Sequence, residues 1–398
     1  DGALAALDLT GTVTLPGPVI TTPGLTVKAG RATAALEGTL DVSGDRPRMA
    51  ATLDLAFADL DGFLPAADTA ISAELETGAD LAALQDVLQE PAPGGDGPSW
   101  YAGVDGNLAV SGQGVGLRGA TVDDLAATLV FSEGVIASSD LTGAVFGGQL
   151  AADLSYPAGD LLPELTGTVE LANAEWALAT QWLFGLPDAS APLDGRATLT
   201  ASLSALGRSW MALTSTLNGT LTVAAGDGTV RGLDLAAFRS GLNQVASLAA
   251  YRDMAEATMG AGATPFSSLY GTVLMEDGRL VSPGASGEPL LAVLTDGAGL
   301  DADSAGTLSL TGEIDLTTRL VNGEGTLALA DYQDAPPVVV RLTGPLTDPR
   351  RQIESSRFGA TLVDAIAAGA EDVTKDETQR QIDAIRDAMD RLDESANP

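Results

Sequence analysis

The spacings in this chain that could serve chemistry are few, and each lacks something the chemistry needs. Gly114-Val115-Gly116-Leu117-Arg118-Gly119 fits the GxGxxG turn that lets a pyrophosphate approach a helix N-terminus. Asp140 lies about 20 residues further on, where a ribose hydroxyl would be met. Strand-like alternation begins within a few residues, where a dinucleotide fold needs a helix, and a chain with 47 glycines meets such a pattern by chance. It reads as a Gly-rich turn. Asp301-Ala302-Asp303 opens like a calcium loop, but Ala305 and Gly312 stand where oxygen ligands belong, so it reads as a solvated acidic turn. Gly284-Ala285-Ser286 resembles a nucleophile elbow, yet Glu288 replaces the second glycine. Asp123-Asp124 and Asp301/Asp303 are paired carboxylates of the kind glycosidases use, but 54 Asp and Glu residues make accidental pairs common. Asn218-Gly219-Thr220 is a formal glycosylation sequon and, more simply, a turn.

The missing residue types decide more. There is no His and no Cys. That removes Ser-His-Asp and Cys-His catalysis, His- or Cys-ligated metals, and disulfides. The expectation is a non-enzymatic chain with no catalytic residues, no metal and no cofactor. Twenty Lys+Arg against 54 Asp+Glu give a net charge of -34. A field of that sign repels phosphate backbones, so nucleic acid is excluded as a partner, and anionic membrane surfaces are poor partners for the body. Lys28 and Lys375 are the only lysines. No apolar run approaches the ~20 residues that span a bilayer. The chain opens on Asp1 without a Met, so a leader or membrane anchor is expected upstream.

Hydrophobic residues make up 45% of the 398 and aromatics only 4%, so any core is built from Leu, Val and Ala. An aliphatic residue, any residue and a Gly recur together, as in Leu36-Glu37-Gly38, Val104-Asp105-Gly106, Leu165-Thr166-Gly167, Leu217-Asn218-Gly219 and Leu310-Thr311-Gly312. The spacing is irregular, which fits a repeated strand unit of variable length better than a solenoid. Residues downstream of each Gly alternate between apolar and polar, as in Thr198-Leu199-Thr200-Ala201-Ser202-Leu203. Period-two alternation marks strands with one dry and one polar face, hence an antiparallel sheet. Hairpins are expected at 129–136, 223–230 and 274–281, where Gly supplies positive φ. Asp234 should cap one inserted helix over about 234–259, carrying Leu235, Phe238, Leu242, Val245 and Leu248. Shorter helices are expected at Ala79–Gln89 and Glu175–Phe184, and Pro345 and Pro349 should end the last strand.

The resulting fold class is mainly β, a long curved antiparallel sheet forming a groove, with a few short helices and a C-terminal helix. The expected segments are 1–92, an N-terminal sheet; 93–98, a linker; 99–210, a middle groove; 211–357, a C-terminal β region; and 358–398, a helical tail. Within the tail, Gly359–Gly369 is apolar and Thr374–Glu394 carries a narrow stripe of Ile382, Ile385, Met389 and Leu392.

Several of these runs occur in a recognisable order. Leu217-Asn218-Gly219-Thr220-Leu221 leads to Gly226-Asp227-Gly228-Thr229-Val230-Arg231-Gly232-Leu233-Asp234-Leu235, then Pro265–Thr272, Glu276-Asp277-Gly278, Gly312-Glu313-Ile314-Asp315 and Pro336–Pro349. This order resembles the C-terminal region of the AsmA family, over about Val104 to Arg351, with a looser echo in residues 1–65. Gly219, Gly228, Gly232, Asp234, Gly278, Gly312, Asp315, Gly344, Pro345 and Pro349 carry the motif as structural positions. The resemblance implies a periplasmic protein of Gram-negative bacteria, tethered to the inner membrane by an N-terminal helix outside this chain. It also implies a bridge-like lipid-transfer groove, a part in outer-membrane biogenesis, and no catalytic residues to transfer. The expected partners are phospholipid acyl chains, the inner membrane, and outer-membrane or periplasmic proteins. On the alternating strands, Leu217, Leu221, Val223, Leu308 and Leu310 are the candidate groove residues. About twenty strands would stretch on the order of 100 Å along the ladder. The competing reading is a secreted or surface structural β-protein that binds a partner in the manner of an adhesin. Its arrays are usually more regular and richer in Thr and Asn.

Overall fold

The structure, a computed structural model, describes residues 7–29, 32–59, 103–117, 119–157, 160, 162–185, 192–207, 209–242, 244–245, 247–283, 289–295, 304–332, 335–354 and 357–364. Nineteen strands share one sheet. They are β1 (Leu7–Thr14), β2 (Val19–Ala29), β3 (Ala32–Asp41), β4 (Arg48–Asp59), β5 (Asp105–Gly112), β6 (Val115–Leu117), β7 (Ala120–Ser132), β8 (Val135–Val145), β9 (Gly148–Tyr156) and β10 (Glu164–Glu175). The remainder are β11 (Leu193–Leu206), β12 (Asn218–Arg231), β13 (Ala263–Glu276), β14 (Arg279–Ser282), β15 (Leu290–Thr295), β16 (Ser304–Asp315), β17 (Leu320–Leu329), β18 (Val338–Pro345) and β19 (Arg350–Glu354). Helices α1 (Trp176–Phe184), α2 (Trp210–Ser215), α3 (Leu235–Leu242) and α4 (Leu248–Thr258) interrupt the strands, and α5 (357–364) comes after them.

Each strand pairs with its sequence neighbour, and nearly every pair is antiparallel, so the mainly-β fold expected from the alternation is present. Two places depart from a simple meander. β5 and β6 share one ladder position between β4 and β7, and β14 and β15 share one between β13 and β16. The first of these also breaks the antiparallel rule: β4 pairs β5 and β6 in parallel. A parallel step needs a long crossover, and the chain between Asp59 and Asp105 supplies it. The expected helix Ala79–Gln89 and linker 93–98 lie in that stretch, outside the described residues; so do the tail beyond 364, Asp301, Asp303 and Ser286.

The recurring glycines are where strands approach most closely. A Cβ on Gly106 would lie 1.8 Å from the Met49 carbonyl oxygen, and one on Gly219 would lie 2.0 Å from that of Ser202. Both residues also have strongly positive φ, 134° and 140°. Glycine in these positions lets the pleat kink and the sheet coil. Coiling is visible in the ends that meet. Arg351 on β19 donates from Nη1 to the Gly232 carbonyl after β12, at 3.4 Å. Six ladder steps separate those strands, roughly 29 Å if the sheet were flat. An arginine side chain spans a fraction of that distance, so the sheet bends there, with its helices on the inside of the bend.

Three local expectations need correction. Residues 223–230 form no hairpin; β12 runs straight through them. Asp227 and its neighbours instead make a bulge, two residues opposing one between Gly195 and Ala197. Gly228 is required because the Phe266 ring would lie 2.4 Å from a Cβ there. The hairpins at 129–136 and 274–281 do form, with Glu133-Gly134 and Asp277-Gly278 at positive φ. The single helix over 234–259 is two helices, because the Ser247 side chain accepts from the Ala250 N–H at 3.2 Å and starts a second one. Finally, Pro345 ends β18 as expected, but the chain turns and pairs once more as β19.

An ion pair flanks the start of the odd parallel step. The Arg46 Nε lies 3.0 Å from both oxygens of Asp105, and the Glu133 N–H donates to the same carboxylate. These contacts hold the Asp105 carboxyl below the usual carboxylate range. The Arg231 guanidinium does the same for Asp194, and the Thr128 hydroxyl and N–H do it for Asp140. A carboxyl depressed in the folded state favours folding above its unfolded pKa of about 3.9 and loses that contribution as pH falls below it. The melting temperature should therefore be flat in these groups from neutral pH to about 5 and drop below about 4, with Asp105→Asn showing a shallower acid drop. The glycine reading predicts that Gly106→Ala costs about 3 kcal/mol or more, whereas Gly226→Ala, with open space around its Cβ, changes stability by less than about 0.5 kcal/mol in urea unfolding.

Candidate functional site

Strand parity and register together build one aliphatic face. Leu25 pairs with Leu36, Leu36 with Leu53, Leu53 with Val110, and Val110 with Ala127. A second row runs Leu40, Met49, Gly106, Phe131, Ile136, Tyr156. The bulges in β8 keep the face aligned, so it continues as Leu150, Leu171, Leu199, Val223. Ala152, Val169, Ala201, Leu221 and Val273 form the parallel row beside it. The other side of the same strands is polar and exposed, as at Glu37, Thr39, Thr52 and Asp54.

The face has two regimes. Over β11 to β18, helices cover it. Val223, Phe266, Leu294, Leu308 and Val338 bury against Phe238 of α3, Tyr251 of α4 and Phe358 of α5. α5 sits so close that a Cβ on Gly359 would meet the Tyr251 ring at 2.4 Å. α1 runs along the face, with Trp176 packed on this cluster and Phe184 on a second one around Val273, Met275 and Leu280. Over β1 to β5 none of the buried clusters draws a residue from the sheet, and no described helix lies over it. Leu36, Leu40, Leu53 and Val110 are half-buried there, and Leu9, which joins the face beside Val27, is 56% exposed.

The candidate groove residues fall on the covered side. Val223 is 1% exposed and Leu308 is 8% exposed inside the helix-covered cluster, with Leu221 and Leu310 half-buried against it. Leu217 packs on the second cluster, beside Met275. The open stretch is carried instead by residues such as Leu25, Leu36, Leu53 and Val110, which the Gly-centred reading passed over. Their signal was in the sequence: Leu36-Glu37-Gly38-Thr39-Leu40 alternates as cleanly as any strand.

The motif positions do structural work. The Asp234 side chain accepts from the Ala237 N–H at 2.9 Å and caps α3. The Asp315 side chain accepts from the Thr317 and Thr318 N–H groups at 2.8 and 2.7 Å and closes the turn into β17. Gly278 sits in the β13–β14 turn, Gly312 lies against the Asn322 carbonyl, Gly344 has a φ of 107°, and Pro349 leads into β19. Gly114–Gly119 spans β6 and its turn into β7, with no helix after it. Asp140 is engaged by Thr128 and Ser138. Among the described residues no three His, Cys, Asp or Glu side chains gather as a metal site would require, and no helix is long and apolar enough to cross a membrane.

One long sheet, polar on one side and largely aliphatic on the other, with short helices covering part of the dry side, defines a class of extended β-proteins. The model of the AsmA family matches residues 82–284, just over half of the chain, so this protein belongs to the AsmA family, whose members are envelope-associated. Neither curated proteins nor solved structures give a significant match. Because Asp234 caps α3 beside the most enclosed part of the core, Asp234→Ala should lower stability by about 1 kcal/mol, read as a shifted urea midpoint with an unchanged slope.

Proposed function

We propose that this chain is a non-enzymatic envelope protein that holds phospholipid acyl chains on the open part of its aliphatic face. It would support phospholipid movement between the inner and outer membranes and outer-membrane biogenesis, working in the periplasm with an inner-membrane tether outside this chain. The observation that carries the reading is the register. Aliphatic side chains line up across neighbouring strands, as in Leu25, Leu36, Leu53 and Val110, and over β1 to β5 no described helix covers them. Those strands take five ladder positions, roughly 19 Å, by about 20 Å along the strands. A contiguous apolar patch of several hundred Å² on a monomer often marks a ligand or interaction site. Acyl chains ask for such a surface and for no hydrogen-bonding groups, which is what Leu, Val and Ala provide. The helix-covered rows around Val223 and Leu308 act as the closed end of the face.

Parity supplies the test. Leu36→Glu and Leu53→Glu place a charge on the open face, where solvent still reaches it. Both variants should fold, with the thermal transition kept, and should take up fluorescent phospholipid about tenfold less well than the parent. Thr39→Glu and Thr52→Glu, on the opposite side of the same strands, should bind as the parent does. Leu308→Glu, in the enclosed part, should lose its thermal transition, because the charge is buried unpaired. Native mass spectrometry of a parent protein free of lipid, together with failure to take up the labelled lipid, would sink the proposal.

A further inference from the structure

The outward side of α1 and α2 is a surface that the acyl-chain reading leaves unused. In a chain of net charge -34, neither helix holds a single charged residue: they read Trp-Ala-Leu-Ala-Thr-Gln-Trp-Leu-Phe and Trp-Met-Ala-Leu-Thr-Ser. One side of α1 is occupied, since Trp176 and Phe184 pack into the two clusters on the sheet and Thr180 is buried with its hydroxyl donating to the Trp176 carbonyl at 2.9 Å. The other side faces out and is mostly apolar, with Leu178 36% and Leu183 43% exposed beside an exposed Gln181. The Trp182 ring lies 5.9 Å from that of Phe146 at the β8–β9 turn and 6.3 Å from that of Trp210 on α2, which is itself 40% exposed. An uncharged and mostly apolar helix is ordinarily enclosed by protein or by lipid. Here protein encloses one side only.

We propose that Leu178, Trp182, Leu183 and Trp210 dock this protein onto the surface of a phospholipid bilayer with zwitterionic headgroups. Indole rings favour the headgroup level of a bilayer, where an apolar body meets lipid and the N–H meets water, and flanking leucines enter the acyl boundary. The absence of any charge on the two helices fits a neutral surface. The strongly negative remainder of the chain disfavours an anionic one, because like charges repel over about 10 Å at 0.1 M salt. The patch meets the sheet at Phe146 and contributes no residue to the open rows of β1 to β5, so docking is independent of the acyl-chain reading.

Co-flotation of the 398-residue chain with phosphatidylcholine vesicles tests this. The parent should float with the vesicles, and raising salt should leave that fraction unchanged. Replacing a third of the lipid with phosphatidylglycerol should weaken flotation at low salt, and added salt should restore it. Leu183→Gln/Trp210→Gln and Leu183→Glu/Trp210→Glu change side chains that already face water, so the thermal transition should survive, while partitioning falls about tenfold or more. Uptake of labelled phospholipid by these variants should match the parent, which separates failure of docking from failure of the groove. No flotation of the parent, equal flotation of the variants, or flotation abolished by salt overturns the proposal. So does a parent that self-associates in sedimentation velocity through this patch without binding vesicles, which would make it a protein interface.

Discussion

A sheet that is aliphatic on one side must find something to lay against that side, and every other feature of this chain answers to that requirement. Soluble β-domains usually meet it with a second sheet, face to face at about 10 Å. This chain meets it with short helices, inserted between strands where the connection is long enough to fold back. α3 and α4 come after β12, α1 comes after β10, and α5 closes the set after β19. Their aromatic residues do the filling: the Phe238, Tyr251 and Phe358 rings lie within 5.9 to 6.3 Å of one another. In a chain with so few aromatics, placing three together marks where enclosure is complete.

Curvature makes that enclosure possible. A flat sheet cannot wrap around a pair of helices, and the means of bending are spread through the strands as glycines and bulges. They act at different scales. A glycine removes the Cβ that would strike the neighbouring carbonyl, and a bulge offsets the pairing by one residue. The bulges carry a second consequence, since an unpaired extra residue inverts parity. In β8 and β12 the inversion keeps Leu, Val and Ala on the same side after the bend, so the dry face continues through it.

Much of this was legible in the sequence. Period-two alternation gave the sheet and its two-sidedness, the Glu133-Gly134 and Asp277-Gly278 steps gave two hairpins, and Asp234 gave a helix start. The illegible features depended on contacts between residues distant in sequence. Gly226-Asp227-Gly228 looks like a hairpin turn until Phe266, on the next strand, is seen to need the space above Gly228. Nothing local distinguishes Leu221 or Val223 from Leu36 or Leu53. All four sit on clean alternations, and only the helices packed from elsewhere separate an enclosed row from an open one. The parallel pairing of β4 with β5 is equally non-local, because both strands read as ordinary members of a meander.

That parallel seam bears on how such a protein can change in length. On either side of it, the chain is a run of antiparallel strands, joined through turns or through inserted helices, each strand hydrogen-bonded in the ladder to its neighbours. Adding or deleting one hairpin anywhere in such a run shifts the ladder by two strands, about 10 Å, and leaves strand direction, parity and the dry side unchanged. Adding a single strand reverses chain direction and demands a new crossover like the one between Asp59 and Asp105. Length in this architecture is thus a ruler graduated in hairpins, and the seam records one odd-numbered mark.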